Sequence, residues 1–320
     1  MKLRGCRIAA GVVLAALVAG CGGASGDDAG TFSLQIGDTP IDGTSRAVVT
    51  FDRVELVGEG GRLTVWQGFE TVDLQRLGGC VLFDLVPPTT VPAGTYAEIR
   101  LGIVAQDDPR FRSTDELPHP SFVDLGGADV RLLSVPGGGQ AEARIPGPFV
   151  VPDGGSLGVL ADLDLRRSIR TVASGAGARY ILRPVLRTVE DAQAAAIRGT
   201  VRKADGSAFS AAEAPVVYAW RGTGSLVDPT TDFVDAAKVV ASAIPRPAGD
   251  PAEGEYCLGP LEPGTYRVTA VAGVETVAAL DGALLDRWDG RYAPAEVDAP
   301  VTVGAAQTAD GVSFTLSPLY

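Results

Sequence analysis

The sequence contains one histidine, one methionine and four cysteines among its 320 residues. Because most acid–base and nucleophilic mechanisms depend on histidine or cysteine, this scarcity leaves few ways to build the common catalytic centres. The single histidine, His119, lies between two prolines in a stretch typical of a solvated loop. No Walker loop, dinucleotide fingerprint or His-Glu-x-x-His motif occurs. The sequence therefore predicts a protein that is not an enzyme and uses no cofactor, with carboxylates as the remaining candidates for chemistry.

Basic residues are also in the minority, at 27 against 39 acidic residues, for a net charge of −12. A nucleic-acid binder needs basic surface to displace counterions from phosphates, so nucleic acid is excluded as a partner. Charged residues make up only 21% of the chain and hydrophobic residues 46%, a balance that excludes intrinsic disorder. The 41 glycines and 22 prolines, with abundant valine, threonine and leucine, favour many short strands joined by tight turns.

The N-terminal segment has the pattern of an export signal. Lys2, Arg4 and Arg7 precede an apolar run over residues 8–18, which is too short for a membrane-spanning helix. Residues 17–21, Leu-Val-Ala-Gly-Cys, resemble the bacterial lipobox, in which small residues precede a cysteine that receives a lipid. The alternative is an ordinary cleaved signal followed by a chance cysteine.

We therefore predict a signal peptide at residues 1–20 and a lipidated tether at residues 21–30, anchored to the membrane through Cys21. Loss of residues 1–20 removes three basic residues and no acids, which leaves 24 basic against 39 acidic residues, or −15. Such an acidic body is repelled by anionic head groups and should stand off the bilayer. The predicted location is the cell envelope: the outer membrane in a Gram-negative host, and otherwise the outer face of the cell membrane.

The remaining chain alternates apolar and polar residues over many short segments, bounded by Gly, Pro or Asp. The predicted strands include residues 63–66, 70–74 and 180–189. The best helical segment, residues 163–172, is short. Residues 190–196, which begin with polar side chains and end in alanines, interrupt the strand pattern. The sequence thus predicts an all-β chain of two β-sandwich-like domains, at residues 31–190 and 196–320.

The first predicted domain contains five ordered sequence blocks, at residues 33–40, 49–56, 91–101, 161–168 and 180–187. These blocks resemble the bacterial lipoprotein family known as domain of unknown function 4382. The resemblance implies an envelope location and a β fold but no activity.

The second predicted domain has two further characteristic segments, at residues 199–201 and 254–268. They resemble carboxypeptidase regulatory-like domains, which have a transthyretin-like β-sandwich. There, Pro263 and Gly264 predict a turn, after which Tyr266 and Val268 alternate onto one face of a strand. Such domains serve as structural or recognition modules, so the resemblance implies no peptidase.

Cys80 and Cys257 are the only cysteines left once Cys6 is removed with the signal and Cys21 is lipidated. They lie in different predicted domains. A disulfide across a domain interface and a pair of buried thiols are both compatible with an exported chain.

Asp162 and Asp164 lie two residues apart on a predicted strand, so their side chains share a face. Three interpretations remain open. The acids could lie on a solvent-facing strand and pair with Arg166, Arg167 or Arg183, they could bind calcium, or they could act as a glycosidase pair.

Trp288 and Tyr292 lie in a polar stretch, where exposed aromatic rings often mark recognition surfaces for sugars or peptides. Covering one end of the sandwich is the alternative.

Together, these features predict a non-catalytic envelope lipoprotein that binds a glycan or an envelope protein or serves a structural role. The rival hypotheses are a carboxylate-dependent hydrolase of envelope polysaccharide and a calcium-dependent adhesion module.

Overall fold

The computed structural model describes residues 28–39, 44–126, 129–136, 141–174, 177–228, 230–278 and 284–319. Within these ranges the chain is almost entirely β-strand, so the predicted all-β class is confirmed. The predicted signal peptide and Cys21 lie outside the described residues. In the part of the chain that is described, no helix is long and apolar enough to span a bilayer.

Residues 28–190 form an N-terminal region in which two sheets enclose one core. One sheet has the strand order β12-β9-β1-β4, and the other has the order β10-β11-β7-β6-β2-β5-β8 with β3 added to β2. Its strands are β1 (Ala29–Thr39), β2 (Arg46–Gly58), β3 (Gly61–Asp73), β4 (Phe83–Pro92), β5 (Gly94–Ile103), β6 (Ser121–Asp124), β7 (Val130–Ser134), β8 (Glu142–Val151), β9 (Ser156–Asp164), β10 (Ile169–Ser174), β11 (Gly177–Leu182) and β12 (Leu186–Glu190).

Residues 195–319 form a C-terminal region with a separate core between two further sheets. The order in one sheet is β16-β13-β22 with β23 on β13, and in the other β15-β14-β17-β20 with β21 on β17. Strands β18 and β19 pair antiparallel in a separate two-stranded sheet. Its strands are β13 (Ala195–Lys203), β14 (Pro215–Trp220), β15 (Val239–Ala243), β16 (Glu255–Leu261), β17 (Gly264–Ala272), β18 (Val274–Ala278), β19 (Leu284–Trp288), β20 (Ala295–Glu296), β21 (Val301–Val303), β22 (Thr308–Ala309) and β23 (Phe314–Leu316).

Helical turns are few and short. The α-helix α1 (Leu165–Ser168) follows β9 directly, and 3-10 turns occupy Leu74–Leu77, Asp191–Gln193 and Ala211–Glu213. The helical segment predicted at residues 163–172 is therefore wrong over most of its length. The β-branched residues Ile169, Thr171 and Val172 favour an extended backbone, and they pair with β11 as part of β10.

Both regions contain a Gly-Thr-Tyr turn that fixes the start of a long strand. Tyr96 on β5 donates its hydroxyl hydrogen to the Pro92 carbonyl at 2.8 Å. Tyr266 on β17 does the same to the Glu262 carbonyl at 2.7 Å. Each ring is buried, so the hydroxyl needs an internal acceptor, and the carbonyl four residues earlier supplies it.

Candidate functional site

Asp162 and Asp164 lie where the two regions meet, a surface that we call the junction. Strand β9 runs parallel to β1 and antiparallel to β12, and this register places Arg187 of β12 opposite Asp162. Arg187 Nη2 lies 2.8 Å from Asp162 Oδ2. Its Nη1 donates a hydrogen bond to the Pro260 carbonyl on β16. One arginine therefore links a carboxylate of the N-terminal region to the backbone of the C-terminal region.

The expectation that both acids lie on a solvent-facing strand is wrong. Asp162 is 3% exposed and lies between Gly37 of β1 and Arg187 of β12. Asp164 is partly buried and caps α1, where its Oδ1 accepts the backbone N–H of Arg167 at 3.0 Å. Burial raises the pKa of the Asp164 carboxyl above its ordinary value, because desolvation penalises the charged form.

Arg166 of α1 reaches into the C-terminal region. Its Nε lies 3.0 Å from Asp286 Oδ2 on β19, and its Nη1 donates to the hydroxyl of Ser242 on β15. Asp286 also accepts the hydroxyl hydrogen of Tyr218 at 2.8 Å, and the Arg166 guanidinium lies over the Tyr218 ring. Arg166 and Asp286 are 8% and 6% exposed. A buried ion pair is retained only where hydrogen bonds satisfy its remaining polar groups, and Ser242 and Tyr218 contribute to that here.

A disulfide bond also crosses the junction. It joins Cys80, after the first 3-10 turn, to Cys257 on β16, with 5.6 Å between the Cα atoms. The two cysteines are 177 residues apart in sequence, so the bond closes a loop that spans both regions. The structure thus brings the two cysteines together, alongside the Arg187 and Arg166 contacts.

The junction offers little for metal binding or hydrolysis. The described residues contain no group of three or more His, Cys, Asp or Glu side chains placed to hold a metal ion. Calcium takes six to eight oxygen ligands, whereas Asp162 is already bound to Arg187. A glycosidase needs two carboxyl groups that flank a sugar, whereas Asp162 pairs with Arg187 and Asp164 caps α1. Calcium binding at Asp162 and Asp164 remains an untested prediction.

Trp288 and Tyr292 do not form an exposed aromatic surface. Tyr292 is 6% exposed, and its hydroxyl donates to Glu213 Oε1 at 2.9 Å. Trp288 is partly buried and donates its indole N–H to the Tyr292 carbonyl at 2.9 Å. The surrounding polar stretch resembles a solvated loop in sequence, but residues 284–288 form β19 and Asp286 is buried at the junction. Both rings therefore fit the alternative interpretation, in which they cover one end of the sandwich.

A motif overlooked at the sequence level is Gly154-Gly155-Ser156-Leu157-Gly158, which has the spacing of a serine-hydrolase nucleophile elbow. That elbow places serine at a turn from a strand into a helix. Here Ser156 follows a turn and begins strand β9, where it pairs with Thr31. The motif therefore lacks the structural context of a nucleophile.

The fold and the junction define an all-β protein whose two regions are joined by a buried ion pair, a hydrogen bond from Arg187 and a disulfide bond. Residues 29–184 match the family described as Domain of unknown function (DUF4382). The match confirms the resemblance to this domain over those residues, whereas the lipid anchor and the carboxypeptidase regulatory-like resemblance of the second domain stay predictions. No curated protein is significantly similar in sequence to the chain.

Several solved structures are distantly similar. The Bacillus anthracis TIE protein is 9% identical over 91% of this chain, with a TM-score of 0.22, and this chain covers 34% of its length. The shaft pilin SpaA of Lactobacillus rhamnosus GG is 10% identical, with coverages of 91% and 97% and a TM-score of 0.20. The Streptococcal ancillary pilin is 9% identical, with coverages of 90% and 62% and a TM-score of 0.19. The chain thus spans about a third of the TIE protein, and TM-scores this low support no conclusion about function.

Proposed function

We propose that the chain is an exported lipoprotein, lipidated at Cys21, whose two β-regions form a non-catalytic binding or structural module of the cell envelope. The anchor is supported by the apolar run at residues 8–18 and the small residues directly before Cys21. Its location is the outer membrane in a Gram-negative host and the outer face of the cell membrane otherwise. Its binding partner is a glycan or an envelope protein.

The observation that carries this proposal is the burial of the charged side chains at the junction. Asp162, Arg166 and Asp286 are all buried: Asp162 pairs with Arg187 inside the N-terminal region, and Arg166 pairs with Asp286 across the junction. A hydrolase would need such carboxylates exposed to substrate in a cleft. A disulfide between Cys80 and Cys257 also suits an exported protein, because structural disulfides persist in oxidising compartments.

The anchor is tested by metabolic labelling with an alkyne fatty acid in a bacterial host. We expect the full chain to incorporate label and to partition into detergent, and Cys21→Ala to lose both properties. Cys6→Ala is the matched control, because Cys6 lies inside the predicted signal and should leave labelling unchanged. Labelling that survives Cys21→Ala would contradict lipidation at this cysteine.

The module is tested on the chain from residue 22, which keeps every described residue. Thermal unfolding is measured with millimolar calcium and with a panel of envelope glycans, and glycan cleavage is followed by the release of reducing ends. We expect no cleavage and no effect of calcium on the melting temperature, while stabilisation by one glycan would identify a partner. Reducing-end release that disappears in Asp162→Asn would instead establish the hydrolase.

A further inference from the structure

The C-terminal region carries an open groove of about 360 Å³, separate from the junction. The buried residues Val201, Pro215 and Pro245 form its base, and the partly buried Phe209 and Ile244 contribute to its walls. Ligand sites in proteins have volumes of roughly 300–1,000 Å³ and mostly apolar linings. This groove meets both conditions near the lower limit of size, which suits one small apolar ligand.

The wall that carries Phe209 is held in place before any ligand arrives. Ser210 caps the 3-10 turn at Ala211–Glu213, and Lys203 Nζ binds Glu213 Oε2 at 2.8 Å. The Phe209 ring packs edge-on against Tyr292 at 5.7 Å, with the Lys203 ammonium 5.4 Å from its centre. A wall that is already ordered costs little conformational entropy on binding.

The groove also carries an arginine that has no acidic partner among the described residues. Two arginines line it, and Arg202 is exposed and forms no ion pair with the described residues. Arg246 has one acidic neighbour, Asp250, at 3.7 Å. The only acid in the lining is Glu253, whose carboxylate accepts the backbone N–H of Gly249 at 2.9 Å. Arg202 is thus an arginine without an acidic partner among the described residues at the edge of an apolar groove, and it complements an anionic group.

The polar lining argues against an extended peptide as the ligand. Ser207 donates its hydroxyl hydrogen to Asp205, and Ser210 donates to Glu213, each at 2.7 Å. Both hydroxyl hydrogens are therefore used within the wall, whereas a bound peptide would need partners for its backbone groups. An acyl chain has no such groups. We propose that this groove binds a single-chain amphiphile with a carboxylate head group, namely a fatty acid, with Arg202 and Arg246 at the head group.

The test is calorimetric titration of the chain from residue 22 with octanoate, decanoate and decanol. We expect affinity to rise about fourfold for each added methylene, because burial of one methylene contributes about 0.8 kcal/mol. Decanoate should bind about fivefold more tightly than decanol. Equal affinity for decanoate and decanol, or no dependence on chain length, would overturn the proposal.

Two variants locate the site. Arg202→Gln should weaken decanoate binding about fivefold and leave decanol binding unchanged, whereas Arg112→Gln, at another exposed arginine without a described acidic partner, should change neither. Ala208→Trp places an indole in the groove and should abolish binding, with its thermal unfolding checked in parallel. Retained binding in Ala208→Trp would refute the site. Co-sedimentation with phosphatidylglycerol vesicles that Ala208→Trp abolishes would replace the fatty acid with a two-chain lipid and overturn the assignment.

Discussion

Arg166→Met removes one partner of the buried ion pair at the junction. The side chains of Arg166 and Asp286 are 10% and 4% exposed and approach to 3.0 Å. In the variant, Asp286 remains buried and keeps the hydroxyl of Tyr218 at 2.8 Å, but it loses the guanidinium. Leaving one charge of a buried pair uncompensated costs about 3–5 kcal/mol. We expect Arg166→Met to lower the free energy of unfolding by about this amount.

A surface pair in the same region provides the control. Arg287 and Glu275 approach to 2.8 Å across the β18–β19 hairpin, but their side chains are 50% and 57% exposed. Surface ion pairs contribute about 0–1 kcal/mol. Arg287→Met should therefore change stability by no more than about 1 kcal/mol. The comparison separates burial at the junction from the mere loss of an arginine.

The assay is urea unfolding followed by tryptophan fluorescence, since Trp66 reports on the N-terminal region and Trp220 on the C-terminal region. Asp286→Leu and the double variant complete a double-mutant cycle. We expect a coupling energy of about 0.5–3 kcal/mol between Arg166 and Asp286, because they share one interaction. Additive effects, or a loss in Arg166→Met no larger than that in Arg287→Met, would refute the structural role of this pair.

Three further predictions concern the turns, the cap of α1 and the disulfide. Tyr96→Phe and Tyr266→Phe should each lower the free energy of unfolding by about 0.5–1.5 kcal/mol in urea titrations, because each leaves a carbonyl without its hydroxyl donor. Asp164→Ala should cost about 1 kcal/mol through loss of the cap, whereas Asp164→Asn should cost less. Burial raises the pKa of Asp164, so its charged form opposes folding above that pKa. Lowering the pH through this pKa should therefore raise the melting temperature of the parent chain, and the rise should be smaller in Asp164→Asn. Cys80→Ser with Cys257→Ser should lower the free energy of unfolding by about 2–5 kcal/mol, and an unchanged urea midpoint would contradict a structural bridge.

Much of the strand pattern could be predicted because it is local. Phe32, Leu34 and Ile36 alternate with polar residues, and all three are fully buried on β1. The turn at Pro263 and Gly264 is also as predicted, since Gly264 begins β17. In these segments the alternation of apolar and polar side chains predicts both the strand and the face that is buried.

The strand prediction was wrong where a single proline or the pairing with a distant strand determines where a strand begins and ends. The predicted strand at residues 180–189 is two strands, β11 and β12, on either side of Pro184, which has no N–H to donate to a ladder. The predicted strands at residues 63–66 and 70–74 form one long strand, β3, because β2 pairs along its whole length. The sequence alone does not contain that pairing.

The junction was not predictable for the same reason. Arg187 is placed opposite Asp162 by the register of β12 on β9, which depends on the whole sheet. Arg166 and Asp286 are 120 residues apart in sequence and meet only across the junction. Sequence patterns identified the two acids and the two cysteines as notable but did not show which residues they contact.

The central claim is that the junction holds the two regions as one body. Its most direct test is the distance distribution between spin labels at the exposed Thr64→Cys and Thr315→Cys positions, one in each region, measured by double electron–electron resonance. We predict one narrow distribution in the parent chain, and broadening when Arg166→Met is combined with Cys80→Ser and Cys257→Ser. A broad distribution in the parent chain, or no broadening in the combined variant, would contradict the claim.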